Sequence, residues 1–125
     1  MRVRELVAGE VVWVAPEATL REAAELMVSA EVGSVAVAVD GALEEIITER
    51  DILGAVAGVA DFDVESASTW MTEYAESFTP EMDVDDAADW MLATGFRHLP
   101  LVDGGEVLGV ISIKDVLWAL TEEMG

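Results

Sequence analysis

Two short stretches carry the residue types that could do chemistry. One reads Ile46-Ile47-Thr48-Glu49-Arg50-Asp51, the other Val110-Ile111-Ser112-Ile113-Lys114-Asp115. In each, a hydroxyl stands three residues before a carboxylate, where an apolar run gives way to a helical pattern. Two readings fit that spacing. The pair can be a capping box, in which the hydroxyl accepts from the backbone N–H three residues on and the acid reaches back. It can also be a ligand cradle. A helix N-terminus offers unpaired N–H groups and positive potential to a phosphate or another anion, and an acid at the helix entrance can accept from vicinal ribose hydroxyls. The placement of positive charge bears on the choice. Of only six basic residues, three (Arg50, Lys114 and Arg97) lie in or near these stretches, and Arg97 is joined by the single histidine, His98. An anionic ligand accounts for that clustering; so does pairing with neighbouring carboxylates, as for Arg50 beside Glu49.

Catalysis finds no comparable support. Ser112 has no adjacent general base, no cysteine exists to act as nucleophile or zinc ligand, and the carboxylates form no calcium-loop motif. The chain is expected to bind rather than to react, with no resident cofactor and no metal.

The elements that must position these stretches occur twice. Residues 6–61 lie over residues 70–125 at a constant offset of 64 without a gap: Pro16-Glu17 falls on Pro80-Glu81, Ala23-Ala24 on Ala87-Ala88, Met27 on Met91, Gly41 on Gly105, and Asp51 on Asp115. Two copies of so long a period imply two like units about a pseudo-twofold axis, hence two related clefts. Each copy opens with an extended segment ending in proline (residues 11–16 and 77–80). A helix follows, with Thr19 and Glu22, or Asp83 and Asp86, in capping-box positions. Its apolar stripe is Leu20, Ala23, Ala24, Met27 and Val28 in one copy, and Val84, Ala87, Ala88, Met91 and Leu92 in the other. Strands are expected at 35–39, 43–47, 99–102 and 107–111. The turns Asp40-Gly41 and Asp103-Gly104-Gly105 close hairpins, and second helices are expected at 51–59 and 115–123. The unit is β-α-β-β-α, and the fold class mixed α/β (α+β). The first unit spans 1–60, a linker 61–69 and the second unit 70–125. Neither half is large enough to close a core alone.

With “GSVAVAVDGALEEIITERDIL” in the first copy and “GFRHLPLVDGGEVLGVISIKDVL” in the second, the chain resembles a tandem pair of CBS domains, a Bateman module. The resemblance covers nearly the whole chain. It implies two domains packed sheet to sheet, with adenosyl ligands in the clefts between them: AMP, ADP or ATP, with S-adenosylmethionine or NAD as further options. It also implies a non-catalytic role in which occupancy is signalled to a regulated partner. Carried onto this sequence, the ribose acids are Asp51 and Asp115 and the phosphate-side hydroxyls Thr48 and Ser112. Base and phosphate surroundings come from Ser34, Val35, Arg97, His98, Leu99 and Pro100, the segment before the first helix gives Ala15 and Thr79, and Arg50 and Lys114 stand close by. Copy one departs from the pattern, with Glu45 at the place of Gly109, Gly33-Ser34 at that of Arg97-His98, and Ala15 at that of Thr79. The second cleft is therefore the better expected site.

Composition narrows the partners. The net charge is −20, from 26 acidic and 6 basic residues, so no basic face exists to neutralise nucleic-acid phosphates. No apolar run has membrane-spanning length, and Glu5 and Glu10 interrupt any signal-peptide core; the expected location is the cytoplasm. Tryptophans at 13, 70, 90 and 118 favour an interface. Leu26 and Trp90, at matched places off the helical stripes, are the expected contact of a homodimer, and a dimerisation scaffold with vestigial clefts is the alternative function. Charge spread along the whole chain fits a surface adapted to molar salt, where the Debye length falls to about 3 Å. The melting temperature should accordingly rise steeply between low salt and about 1 M KCl, as screening relieves self-repulsion. A flat thermal-denaturation series would remove the case for a saline habitat.

Overall fold

The computed structural model describes residues 1–7, 9–73 and 78–124. Ser77, at the start of the second expected extended segment, lies outside them. A 3-10 turn at Val3–Leu6 precedes β1 (Trp13–Val14), α1 (Leu20–Ala30), β2 (Ser34–Val39), β3 (Ala42–Thr48) and α2 (Glu49–Ala57). A short helix α3 (Ala67–Trp70) leads into α4 (Val84–Thr94), β4 (His98–Asp103), β5 (Glu106–Ser112) and α5 (Ile113–Met124). The strands extend by one residue at each end or at the N-terminal end beyond the sequence pattern, and the second helix of each copy begins two residues earlier than expected.

The local chemistry explains the element ends. In the first hairpin Val39 pairs with Ala42, leaving Asp40 and Gly41 as a two-residue turn with φ of 50° and 81°. In the second, Asp103 pairs with Glu106 around Gly104 and Gly105, at 59° and 86°. Both residues of such a turn need positive φ, which is why glycine recurs there. At the helix starts, the Thr19 hydroxyl accepts from the Glu22 N–H at 3.1 Å. The Asp83 carboxylate accepts from Asp85 N–H, also at 3.1 Å, rather than engaging Asp86 as the copies' alignment implies.

The buried arc of α1 and α4 is rotated from the expected stripe. Leu20, Ala23 and Met27 are buried, as are Val84, Ala87 and Met91, but Val28 and Leu92 are 78% and 82% exposed. At about 100° per residue these two fall some 80° from the first stripe residue. The helices instead turn their opposite shoulder inward, and Leu26 and Trp90 pack against the two cores. Trp90 meets Phe78 edge-on at 4.9 Å and stacks on Phe96 at 5.6 Å. The matched apolar pair expected to face a second subunit is thus largely used within each half.

The halves are joined by exchange. In the first half β1 runs parallel to β2, which pairs antiparallel with β3; in the second, β4 pairs with β5, and Phe78 bridges Leu101 in parallel. Each half's leading segment, however, packs on the other half. Arg2 bridges Asp83 as Ser66 bridges Thr19. Val3 N–H donates to Met82 at 2.8 Å, as Ala67 N–H donates to Ala18 at 2.7 Å. Val84 N–H donates to Met1 at 2.9 Å, as Leu20 N–H donates to Glu65 at 3.0 Å. Every pair is related by the 64-residue offset with the halves interchanged. Val3, fully buried, belongs to the core of α4, α5 and the second sheet; Ala67, fully buried, belongs to that of α1, α2 and the first sheet. Phe62 and Ala67, in the segment expected to be a linker, thus pack in the core of the first half. The sheets also meet face to face through Ala36, Ala38 and Val107, and Val107 N–H donates to Gly41 at 2.9 Å.

Burial of Val3 in the far half gives a test. Val3→Ala should lower stability by roughly 2 kcal/mol, the value of a buried valine's lost apolar surface plus its cavity. Denaturant unfolding should remain a single transition, since one half's core is completed by the other's chain; separate transitions would argue against the exchange.

Candidate functional site

The exchange creates a cavity of about 810 Å³ between the halves. Its wall is contributed by both copies: Val11 and Val12 from the first leading segment, Gly33 and Ser34 from the start of β2, Arg97 and His98 from the start of β4, and Ser112, Lys114 and Asp115 from the junction of β5 and α5. Ser34 pairs with Thr48 and His98 with Ser112 across their hairpins, which fixes strand starts and junctions at the same level.

Both capping boxes form. Asp115 Oδ2 accepts from Ser112 N–H at 2.8 Å and from the Ser112 hydroxyl at 3.1 Å, while the hydroxyl accepts from Asp115 N–H at 3.3 Å. At the other junction the corresponding distances for Asp51 and Thr48 are 2.8, 3.1 and 3.2 Å. These bonds use one oxygen of each acid. Asp115 Oδ1 accepts no hydrogen bond among the described residues, whereas the Thr72 hydroxyl lies 2.6 Å from both oxygens of Asp51.

The expected site residues separate into three groups. Ser34, Arg97, His98, Ser112, Lys114 and Asp115 share the cavity. Val35 and Leu99 turn their side chains into the two cores, and Pro100, between Leu99 and Leu101 on β4, is fully buried but outside them. Thr48 and Asp51 sit at the first junction, outside this cavity, and Arg50 is exposed beside them. Ala15 and Thr79 do not line it either, and Thr79 is exposed. The other copy instead contributes Val7, Val11 and Val12 to the Asp115 cavity and the Thr72 hydroxyl to Asp51. The sequence holds one clue to this: Gly109 stands opposite Val7, whose Cγ1 would lie 3.2 Å from a Cβ added there. Gly33-Ser34 and Arg97-His98, assigned to different clefts by the copy-to-copy comparison, meet in one.

The cavity's electrostatics are mixed. Arg97 and Lys114 face it without ion-pair partners among the described residues, but so do the carboxylates of Glu10, Glu31, Glu49 and Asp115. His98 stands among them. A Cβ on Gly33 would come within 3.1 Å of Glu49 Oε1 and 3.2 Å of His98 Nε2, so the missing side chain is what lets these two groups close on the strand start. Burial pushes the His98 imidazole below its ordinary 6.5, opposed by the negative charges of Glu49, Asp115 and Asp51 and assisted by Arg97.

A depressed folded-state value means that the unfolded chain takes up the proton first as pH falls. His98 therefore withdraws stability as pH drops below about 6.5 through its folded value, against the gain from neutralising acidic repulsion. The contrast with His98→Gln isolates it: the variant should gain on the wild type in melting temperature between about pH 7 and 5. A constant difference across that range would show that His98 titrates alike in both states.

The same architecture is known elsewhere. The CBS-domain family model matches residues 3–58 and again 64–122. An uncharacterised 17.7 kDa protein of Acidianus ambivalens is 36% identical, over 97% of this chain and 74% of the relative. The CBS domain-containing protein YhcV of Bacillus subtilis is 32% identical, over 91% of this chain and 81% of its own length. Among solved structures, the CBS domain protein PAE2072 from Pyrobaculum aerophilum, complexed with AMP, superposes with a TM-score of 0.83 at 29% identity, covering 98% of this chain and 99% of that one. With two family matches in tandem over an exchanged, pseudo-twofold fold, the chain belongs to the CBS-domain family as a CBS-domain pair.

Proposed function

We propose that this CBS-domain pair is a non-catalytic ligand sensor that binds an adenosyl compound in the Asp115 cavity and transmits occupancy to a partner protein. The observation carrying the proposal is Asp115 itself. Its Oδ2 is fixed by the cap, leaving Oδ1 to accept from a ribose hydroxyl in a cavity that also holds Arg97 and Lys114. The AMP complex of PAE2072 supports the same ligand class. Charge decides between members of that class. A phosphate monoester carries about −1.5 to −2 at pH 7, which the two cations match. Further phosphates would find no third cation among the described lining residues and would add charge beside Glu10, Glu31 and Glu49, so AMP should bind more tightly than ADP, and ADP more tightly than ATP, in the absence of Mg²⁺.

Calorimetry with AMP tests this. Asp115→Ala should weaken binding by roughly 1–3 kcal/mol, the worth of a charge-assisted hydrogen bond. Asp115→Asn, which keeps an acceptor for the cap and removes the charge, separates binding from folding. Unchanged affinity in a folded variant would refute the assignment.

The partner in the first instance is a second copy. Val28 and Leu92, at equivalent positions, stand exposed with Leu53 and Leu117, also equivalent and 67% and 58% exposed, beside Trp118. An isologous contact uses one patch on both subunits, and such a patch is otherwise costly to leave in water. This surface replaces Leu26 and Trp90 as the expected interface. Leu92→Glu should convert a dimer into a folded monomer by light scattering in molar salt, and a mutant that stays dimeric would refute the contact. The same surface favours the second reading, a dimerisation scaffold; absence of any thermal shift with adenosyl compounds would select it.

A further inference from the structure

The two junctions make the same capping box but differ in what stands before the carboxylate. At Asp51 the Thr72 hydroxyl lies 2.6 Å from Oδ1 and 2.6 Å from Oδ2. An oxygen equidistant from both sits astride the carboxylate, where a vicinal diol has to place its two donors. Thr72 is also held there by its main chain: its N–H donates to Ile46 at 2.9 Å, and the two residues form an antiparallel bridge on β3. The hydroxyl cannot leave with its segment unless that bridge breaks. Its counterpart one repeat earlier is Ala8, which has no hydroxyl, and Asp115 keeps one oxygen without a partner among the described residues.

We propose that Thr72 is an internal latch that occupies the ribose-binding face of Asp51 and closes the first cleft to adenosyl ligands, so that the pair has one working site. The latch rests on the ligand class proposed above and sets the stoichiometry. It acts by competition: a ribose diol reaching Asp51 must displace a hydrogen bond already made by a backbone-tethered group, whereas at Asp115 no described residue donates to Oδ1. Departures in the first copy concern charge around the cleft and the hydroxyl that Ala15 lacks, whereas Thr72, from the second copy, contacts the shared acid itself.

Adenosine is the probe, because it carries the diol without phosphate charge, and calorimetry on the full chain reads the number of sites. Wild type should bind one adenosine per chain, and Asp115→Asn should weaken that site tenfold or more. Thr72→Val, nearly the same shape without the hydroxyl, should bind two. The Thr72→Val, Asp115→Asn double variant should keep one, and that site should lose at least tenfold in affinity for 2′-deoxyadenosine, which lacks the diol. Thr72→Ser retains the hydroxyl and should remain at one site, separating the latch from packing of the methyl group; Thr72→Ala serves if the valine variant does not fold. Two equal sites in wild type, or one site in both hydroxyl-less variants, would overturn the latch while leaving the ligand reading intact. No adenosine binding by any of these proteins would overturn both.

Discussion

The structure depends on one constraint: neither half closes its own core. Val3 is buried against α4 and α5, more than seventy residues away in sequence, and Ala67 against α1 and the first sheet. A half of this size buries too little surface to stand alone, and the exchange lets each half borrow the missing edge from its twin. The consequence for function is direct. Because the leading segments cross, the wall opposite each junction comes from the other copy, and the Asp115 cavity cannot exist in an isolated half. The orientation of the halves is fixed by the same hydrogen bonds and apolar contacts that keep them folded, so a ligand in the cavity touches the parts of the molecule that set its geometry.

Charge plays a secondary part in that architecture. Three of the six cations serve it. Arg4 pairs with Glu81 and Arg21 with Asp63, each tying a leading segment or its continuation to the half it crosses to, and Arg2 donates to the Glu81 carbonyl. These pairs are exposed, where ion pairs contribute about 0–1 kcal/mol and are weakened by salt. The seam therefore rests on buried apolar contacts such as Val3 and on backbone hydrogen bonds, which molar salt leaves intact. The other three cations are not spent on ion pairs among the described residues. Two of these, Arg97 and Lys114, face the cavity. In a chain with 26 acids to choose from, positive charge that ties the halves and positive charge that faces the cavity are thus separated by position.

What the sequence made legible follows from what is local. Hairpin turns, helix N-caps and the two Ser/Thr–Asp junctions are encoded within a few residues of themselves, and they stand where the pattern puts them. The exchange was not legible, because a repeat aligned on itself carries no sign of which copy a segment touches. For that reason the alignment places Thr79 in the Asp115 cleft and gives Thr72 no part. The rotation of α1 and α4 was hidden similarly. Periodicity gives the width of an apolar face but not its bearing, and Val28 and Leu26 both lie at its margins. Only the neighbours decide that Leu26 goes in and Val28 stays out.

The two readings of the junction, cap and ligand cradle, turn out to be compatible rather than competing. A carboxylate has two oxygens, and the capping box engages one. The Ser112 backbone and hydroxyl hold Asp115 through Oδ2, and Oδ1 is left without a hydrogen bond among the described residues. An acid already ordered by the fold loses less freedom on binding than a free side chain would, by about 0.5–1.5 kcal/mol for a rotamer-rich group. The cap thus orders the acid at a helix start, and it does so equally at Asp51. With capping the same at both junctions, the difference described at the acids themselves is Thr72, which the opposite copy places against Asp51. The pseudo-twofold fold builds two like acids, and the exchange of leading segments is what permits them to differ.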